Sequence, residues 1–125
     1  MKALLSIKPK YVEKIFSGEK RYEFRKVLFQ KQEIESIVVY ASSPVRKVIG
    51  EFNVKEILRM DVEELWEQTA RHSGIDKLFF DEYFKGRTQG IAISVGKLNR
   101  YPKPLELETL GIKCAPQSFC YLGDI

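Results

Sequence analysis

Residues 17–26 read SGEKRYEFRK, and their only apolar side chains, Tyr22 and Phe24, stand two apart. Alternate side chains of a strand point to opposite faces, so Tyr22 and Phe24 share a core face while Arg21, Glu23 and Arg25 share the other. Upstream, ALLSIK predicts a first strand ended by Pro9. Pro9 suits the first turn of a helix, and Tyr11, Val12, Ile15 and Phe16 then make an apolar stripe at helical spacing. Gly18 closes that helix, and Lys20 to Lys26 form the second strand. IESIVVYAS is a near-continuous β-branched run, the pattern of a central strand buried on both sides.

VRKVIGEFNVKEIL predicts a fourth strand, close enough to the third for a hairpin, with Gly50 marking a bulge or a close approach. DVEELWEQTARHSG is a helix begun by an Asp61–Glu64 capping box, with Val62, Leu65, Trp66 and Thr69 on one face. Asp76 caps a further helix whose core face is Leu78, Phe79, Phe80, Tyr83 and Phe84, and Gly86 stops it. TQGIAISVGKLNRY holds at least one more strand, and APQSFCYL reads as a closing helical turn begun by Pro116. Five to six short strands with about three helices, not strictly alternating, predict a small α+β domain on a curled sheet. One domain is expected over residues 1–125.

Composition narrows the class. At 44% hydrophobic and 30% charged residues, the chain is globular rather than disordered. No apolar run approaches the roughly 18 residues of a membrane span. The start MKALLSIKPKY breaks at Pro9 before a signal-peptide core forms, so a cytoplasmic protein without membrane partners is expected. Cys114 and Cys120 are expected as reduced thiols far from the single histidine, His72. A cysteine–histidine zinc site is not expected; carboxylates leave other metals open, and no metal or cofactor is assigned.

Net charge is +4, and its distribution is uneven: residues 1–31 carry nine Lys or Arg against three Glu, a local +6, while the remainder sums to −2. A polyanionic partner fits that segment. On its pattern alone, the Arg21–Glu23–Arg25 row is a solvated face whose charges pair along the strand. Its neighbours add a second reading. Lys20 precedes the row, Lys8 and Lys10 sit where the first strand meets the helix, and Ser42 and Ser43 end the third strand. A sheet that gathers them makes a pocket suited to phosphate, where arginine can also read or stack on bases. Trp66, His72 and the Phe79–Phe84 cluster have structural roles as their ordinary reading, with one cluster member open to exposure. Tyr40 points either to the cleft or to the core.

Taken together, LSIKPKYVEKIFSGEKRYEFRK, IVVYASSPVRKVIGEF and the late APQSFCYL resemble the ASCH domain, a branch of the PUA-like pseudobarrels. The most specific part is G-x-K-x-x-E-x-R, here Gly18, Lys20, Glu23 and Arg25. The resemblance implies a small PUA-like β-barrel decorated with helices. It also implies an RNA or nucleotide-like partner, with Glu23 and Arg25 facing a cleft and Lys20 at its rim. The charged row then becomes the floor of a binding site that includes Lys8, Lys10, Lys20, Arg21, Glu23, Arg25, Ser42 and Ser43.

One ASCH branch removes the acetyl group from acetylated cytidine with a lysine, a threonine and a glutamate. Lys20 matches the lysine, Glu23 stands at the threonine position, and Glu67 lies in roughly the region of the glutamate. A carboxylate cannot act as the same hydroxyl nucleophile. As an enzyme, the chain would use Lys20 and Glu23 as a base and acid pair on a modified nucleoside or on single-stranded RNA. The leading expectation is a nucleic-acid-binding module for RNA or a modified nucleoside, with a small hydrolase second. A transcriptional regulator sensing a small anion comes third, because the acid-rich 61–85 helices do not resemble a DNA recognition helix.

Overall fold

A computed structural model describes residues 1–31 and 33–123. It is an α+β fold with six strands and three α-helices: β1 (Lys2–Ile7), α1 (Pro9–Phe16), β2 (Tyr22–Arg25), β3 (Ser36–Ala41), β4 (Lys47–Asp61), α2 (Val62–Thr69), α3 (Lys77–Tyr83), β5 (Gln89–Leu105) and β6 (Phe119–Leu122). The strands form one sheet in the order β2-β5-β4-β3-β1-β6. It is an open sheet rather than a closed barrel, as in a pseudobarrel, because no backbone ladder joins β2 to β6 among the described residues. No helix among the described residues is long and apolar enough to cross a membrane.

β3 is buried along its whole length because it separates two cores. Its Ile37, Val39 and Ala41 join Leu5, Val12, Ile15 and Ile93 in the main cluster, while Val38 and Tyr40 turn to a second cluster with Leu4 and Val48. Tyr40 is therefore a core residue. β3 pairs antiparallel with β4, the expected hairpin, and parallel with β1. Both readings of Gly50 hold. The β4–β5 register shifts between Val48 and Gly50, and a Cβ on Gly50 would lie 2.5 Å from Asn99 O. β5 is one long strand of 17 residues. Its Pro102 and Pro104 are tolerated because that end pairs only with β4, leaving one side without a ladder to break.

Four local expectations are corrected. APQSFCYL ends in β6 rather than in a helical turn, pairing Phe119–Leu122 antiparallel with β1, whose free edge it covers. The Asp61–Glu64 capping box does not form; Asp61 Oδ1 instead accepts from Gln89 Nε2 at 2.5 Å, tying α2 to the start of β5. α2 ends at Thr69, short of the predicted run, and a 3₁₀ turn over Ala70–His72 follows. Leu78 is not core: it is 82% exposed, because it lies about 200° around α3 from the buried Phe80. Asp76 does cap α3, accepting from Phe79 N–H at 2.8 Å. Trp66 packs on Phe80 with centroids 4.8 Å apart, as its stripe predicts.

Candidate functional site

The site grows from β2 and the turn before it. Gly18 takes the left-handed conformation at φ +87° that ends α1, and Lys20 N–H then donates to Lys14 O at 2.9 Å. The chain enters β2 with Tyr22 and Phe24 turned to the helical layer, where Phe24 meets Phe80 edge-on at 5.2 Å. Glu23 and Arg25 point to the opposite face. They pair rather than stand in solvent: Arg25 Nε donates to Glu23 Oε2 at 3.2 Å, and Nη2 lies 3.1 Å from the same oxygen.

Arg25 also closes the seam of the open sheet. Its Nη2 donates to Ser6 O on β1 at 2.9 Å, and its Nη1 donates to Ser118 Oγ, just before β6, at 3.1 Å. A single guanidinium fork thus ties β2 to the paired β1 and β6, to which no backbone ladder connects it among the described residues. Glu23 Oε1 has no protein donor among the described residues, and no buried side-chain oxygen there lacks a partner. That oxygen is therefore open to the cavity.

Lys20 is not at the rim, as the resemblance implied. It is 2% exposed, with Nζ donating to Ser73 O at 2.7 Å and lying 4.9 Å from the Phe24 ring centroid and 5.4 Å from that of Tyr11. Burial pulls its pKa from 10.5 to about 8, against the upward pull of the Glu23 carboxylate, while the Lys14 ammonium adds to the lowering. Gly74 makes this burial feasible. Its φ is +72°, and a Cβ there would lie 2.6 Å from Lys20 Cβ.

Above Lys20, Glu23 and Arg25 opens a cavity of about 530 Å³. Tyr11, Phe79 and Tyr83 supply aromatic walls, and the exposed Lys8, Lys26 and Arg87 stand around its mouth. Tyr11 and Phe79 pack against each other with centroids 5.6 Å apart and ring planes tilted by 60°. Tyr83 donates its hydroxyl proton to Phe24 O at 3.2 Å, and Lys26 Nζ sits 4.8 Å from its ring centroid. Burial raises the pKa of both tyrosines, so both phenols remain proton donors at neutral pH.

Half of the expected residues meet here. Lys8, Lys20, Glu23 and Arg25 line the cavity, whereas Lys10, Arg21, Ser42 and Ser43 do not. Arg21 precedes β2 and is anchored by its backbone, donating to His72 O at 2.8 Å and accepting from Val95 N–H at 2.9 Å. Ser42 meets the site only through its N–H, which donates to Ile7 O at 2.9 Å. Lys10 is exposed, its Nζ 5.6 Å from the Tyr11 ring centroid. Glu67 faces a separate groove with Asp61 and Asp81, so it does not complete a triad with Lys20. His72 lines no part of the cavity. The pattern missed Tyr11, Phe79 and Tyr83, which sit on apolar helical stripes and read as core, and Lys26, Arg87 and Ser118, which no local motif marks.

Residues 5–106 match the family model described as the ASCH domain. The chain belongs to the ASCH family. This ASCH domain superposes on the crystal structure of ASCH from Zymomonas mobilis with a TM-score of 0.89 at 28% identity, over 98% of this chain and 87% of that one. It is 29% identical over 108 residues to the ASCH domain-containing ribonuclease of Zymomonas mobilis, covering 86% of this chain and 72% of the relative. It is also 32% identical over 120 residues to ATP synthase subunit alpha of Ureaplasma parvum. That match takes in 95% of this chain but 15% of the subunit, so the likeness is to a domain-sized part of a longer chain.

Proposed function

We propose that this ASCH domain binds single-stranded RNA, or a modified nucleotide within it, with one nucleoside seated in the cavity. The observation that carries this reading is the cavity's mixed lining: the rings of Tyr11, Phe79 and Tyr83 beside the cations Lys8, Lys26 and Arg87. A nucleotide needs both, a π-face for its base and positive charge for its phosphate. Only an unpaired base can enter, so a single strand is favoured over a duplex. The ribonuclease among its relatives points to RNA rather than DNA. The test is fluorescence anisotropy with a labelled oligouridylate over a salt series. Engagement of three to five phosphates gives a log–log slope of roughly −2 to −4; a flat response, or no binding at low salt, would defeat the proposal.

A second reading, acid–base catalysis of RNA cleavage or of nucleoside hydrolysis, is favoured by Lys20, an amine with a pKa near 8 in the same cavity as the open Glu23 oxygen. In cleavage of a phosphodiester, Glu23 would take the proton of the 2′-hydroxyl as its oxygen attacks phosphorus. The P–O5′ bond then breaks, and the Lys20 ammonium donates a proton to the departing oxygen. The products are a 2′,3′-cyclic phosphate and a 5′-hydroxyl. Glu23→Gln protein that binds RNA but no longer cuts it supports this route. A parent protein that turns over neither single-stranded RNA nor acetylated cytidine leaves binding as the activity.

A further inference from the structure

Lys26 and Arg87 line two cavities at once. Beside the first lies a groove of about 460 Å³ bordered by Lys26, Arg59, Gly86, Arg87 and Thr88, with no carboxylate in its lining. Arg59 reaches it from β4: strand pairing places Arg25, Ile91 and Arg59 in one row across β2, β5 and β4. Directly opposed residues share a face, so Arg59 continues the row begun by Arg25, about 10 Å away at the backbone. Lys26, Arg59 and Arg87 enter no ion pair among the described residues, whereas Lys2, Lys14, Lys47, Lys77 and Arg100 each have a carboxylate partner. The N–H groups of Gly86 and Thr88 likewise meet no acceptor among the described residues. On the other side of Arg87 the surface turns net acidic, with five carboxylates, Asp61 and Glu64 among them, against Lys77 and Lys85 along the next groove. That side repels phosphate and directs an anionic strand toward Arg59.

We infer that this groove is a second phosphate subsite, so that the ligand is a strand of at least two nucleotides rather than a free nucleoside. The inference rests on the RNA reading above and specifies its substrate class. A base in the cavity leaves its neighbouring phosphate between Lys26 and Arg87, and the next phosphate meets Arg59. Free cations and free amide donors are what such a phosphate requires.

The experiment compares uridine monophosphate with a triuridylate on the parent, on Arg59→Ala and on Lys113→Ala, which removes one positive charge from a residue lining neither cavity. The trinucleotide is expected to bind at least tenfold more tightly than the mononucleotide. Arg59→Ala should cut that advantage about tenfold and reduce the salt slope for the trinucleotide by about 0.7. Arg59→Lys, which keeps the charge, should restore the slope, and Lys113→Ala should leave it unchanged. If both ligands bind equally and Arg59→Ala changes neither, the subsite is wrong while the nucleotide cavity stands. If neither ligand binds at low salt, the cavity reading falls and the subsite with it.

Discussion

The substitution Lys20→Met keeps most of the buried stem and removes the ammonium. The gap between a pKa of 10.5 in the unfolded chain and about 8 in the fold corresponds to roughly 3 kcal/mol of penalty on the buried charge. The folded value is the lower of the two, so between about pH 8 and 10.5 the unfolded chain holds more protons. Stability therefore rises with pH across that window, and the penalty is complete below about pH 8. A thioether carries no proton, so the variant's curve lacks this component. Near pH 7 the substitution relieves the penalty but leaves Ser73 O without its donor, a loss of about 1–3 kcal/mol, and the two nearly offset. The clean readout is the difference between parent and variant, which should move by roughly 3 kcal/mol in favour of the parent from pH 7.5 to 10.5. Urea denaturation at half-unit pH steps measures it, and tyrosine ionisation, common to both proteins, cancels. Parallel curves would show that Lys20 is well solvated, and would remove the argument for a low-pKa amine in the cavity.

Arg25→Ala should cost about 3 kcal/mol by urea denaturation, because it strands Glu23 beside the core and opens the seam to Ser6 and Ser118. A loss below about 0.5 kcal/mol would mean that the pair only decorates a solvated face. Gly18→Ala and Gly74→Ala both force a side chain into a positive-φ position, at about 1 kcal/mol each. Gly74→Ala should lower the melting temperature further, since its Cβ collides with the Lys20 stem whereas that of Gly18 meets nothing within 4 Å. Equal melting temperatures would contradict the close packing of Gly74 on Lys20.

Much of the fold was legible because it is locally encoded. Pro9 before an apolar stripe, Gly18 after it, Asp76 before a run of rings and the unbroken IVVYA segment each specify their element through nearest-neighbour physics. Two of the failures came where a partner distant in sequence supplied the deciding contact. Phe119–Leu122 becomes a strand because β1 has a free edge more than a hundred residues away. Asp61 abandons its own helix for Gln89, 28 positions on.

The site divides along the same line. Alternation along YEFR was enough to set Glu23 and Arg25 apart from Tyr22 and Phe24, and the G-x-K-x-x-E-x-R motif marked Lys20. A period of two is a property of the extended chain itself and survives in any tertiary setting. Burial is not. Whether Lys20 is a solvated rim charge or an amine held at a pKa near 8 depends on Ser73 and Gly74 folding over it, and neither is near it in the chain. Tyr11, Phe79 and Tyr83 occupy apolar stripes whose period is the same whether the stripe meets core or cavity. Only the packing of α1 and α3 around β2 left a space between their rings. Arg59 and Arg87, from the part of the chain whose net charge is negative, join Lys26 around one basic groove only through the pairing of β2, β5 and β4 and the loop before β5, because net charge sums over sequence whereas a phosphate feels only the charges within a Debye length.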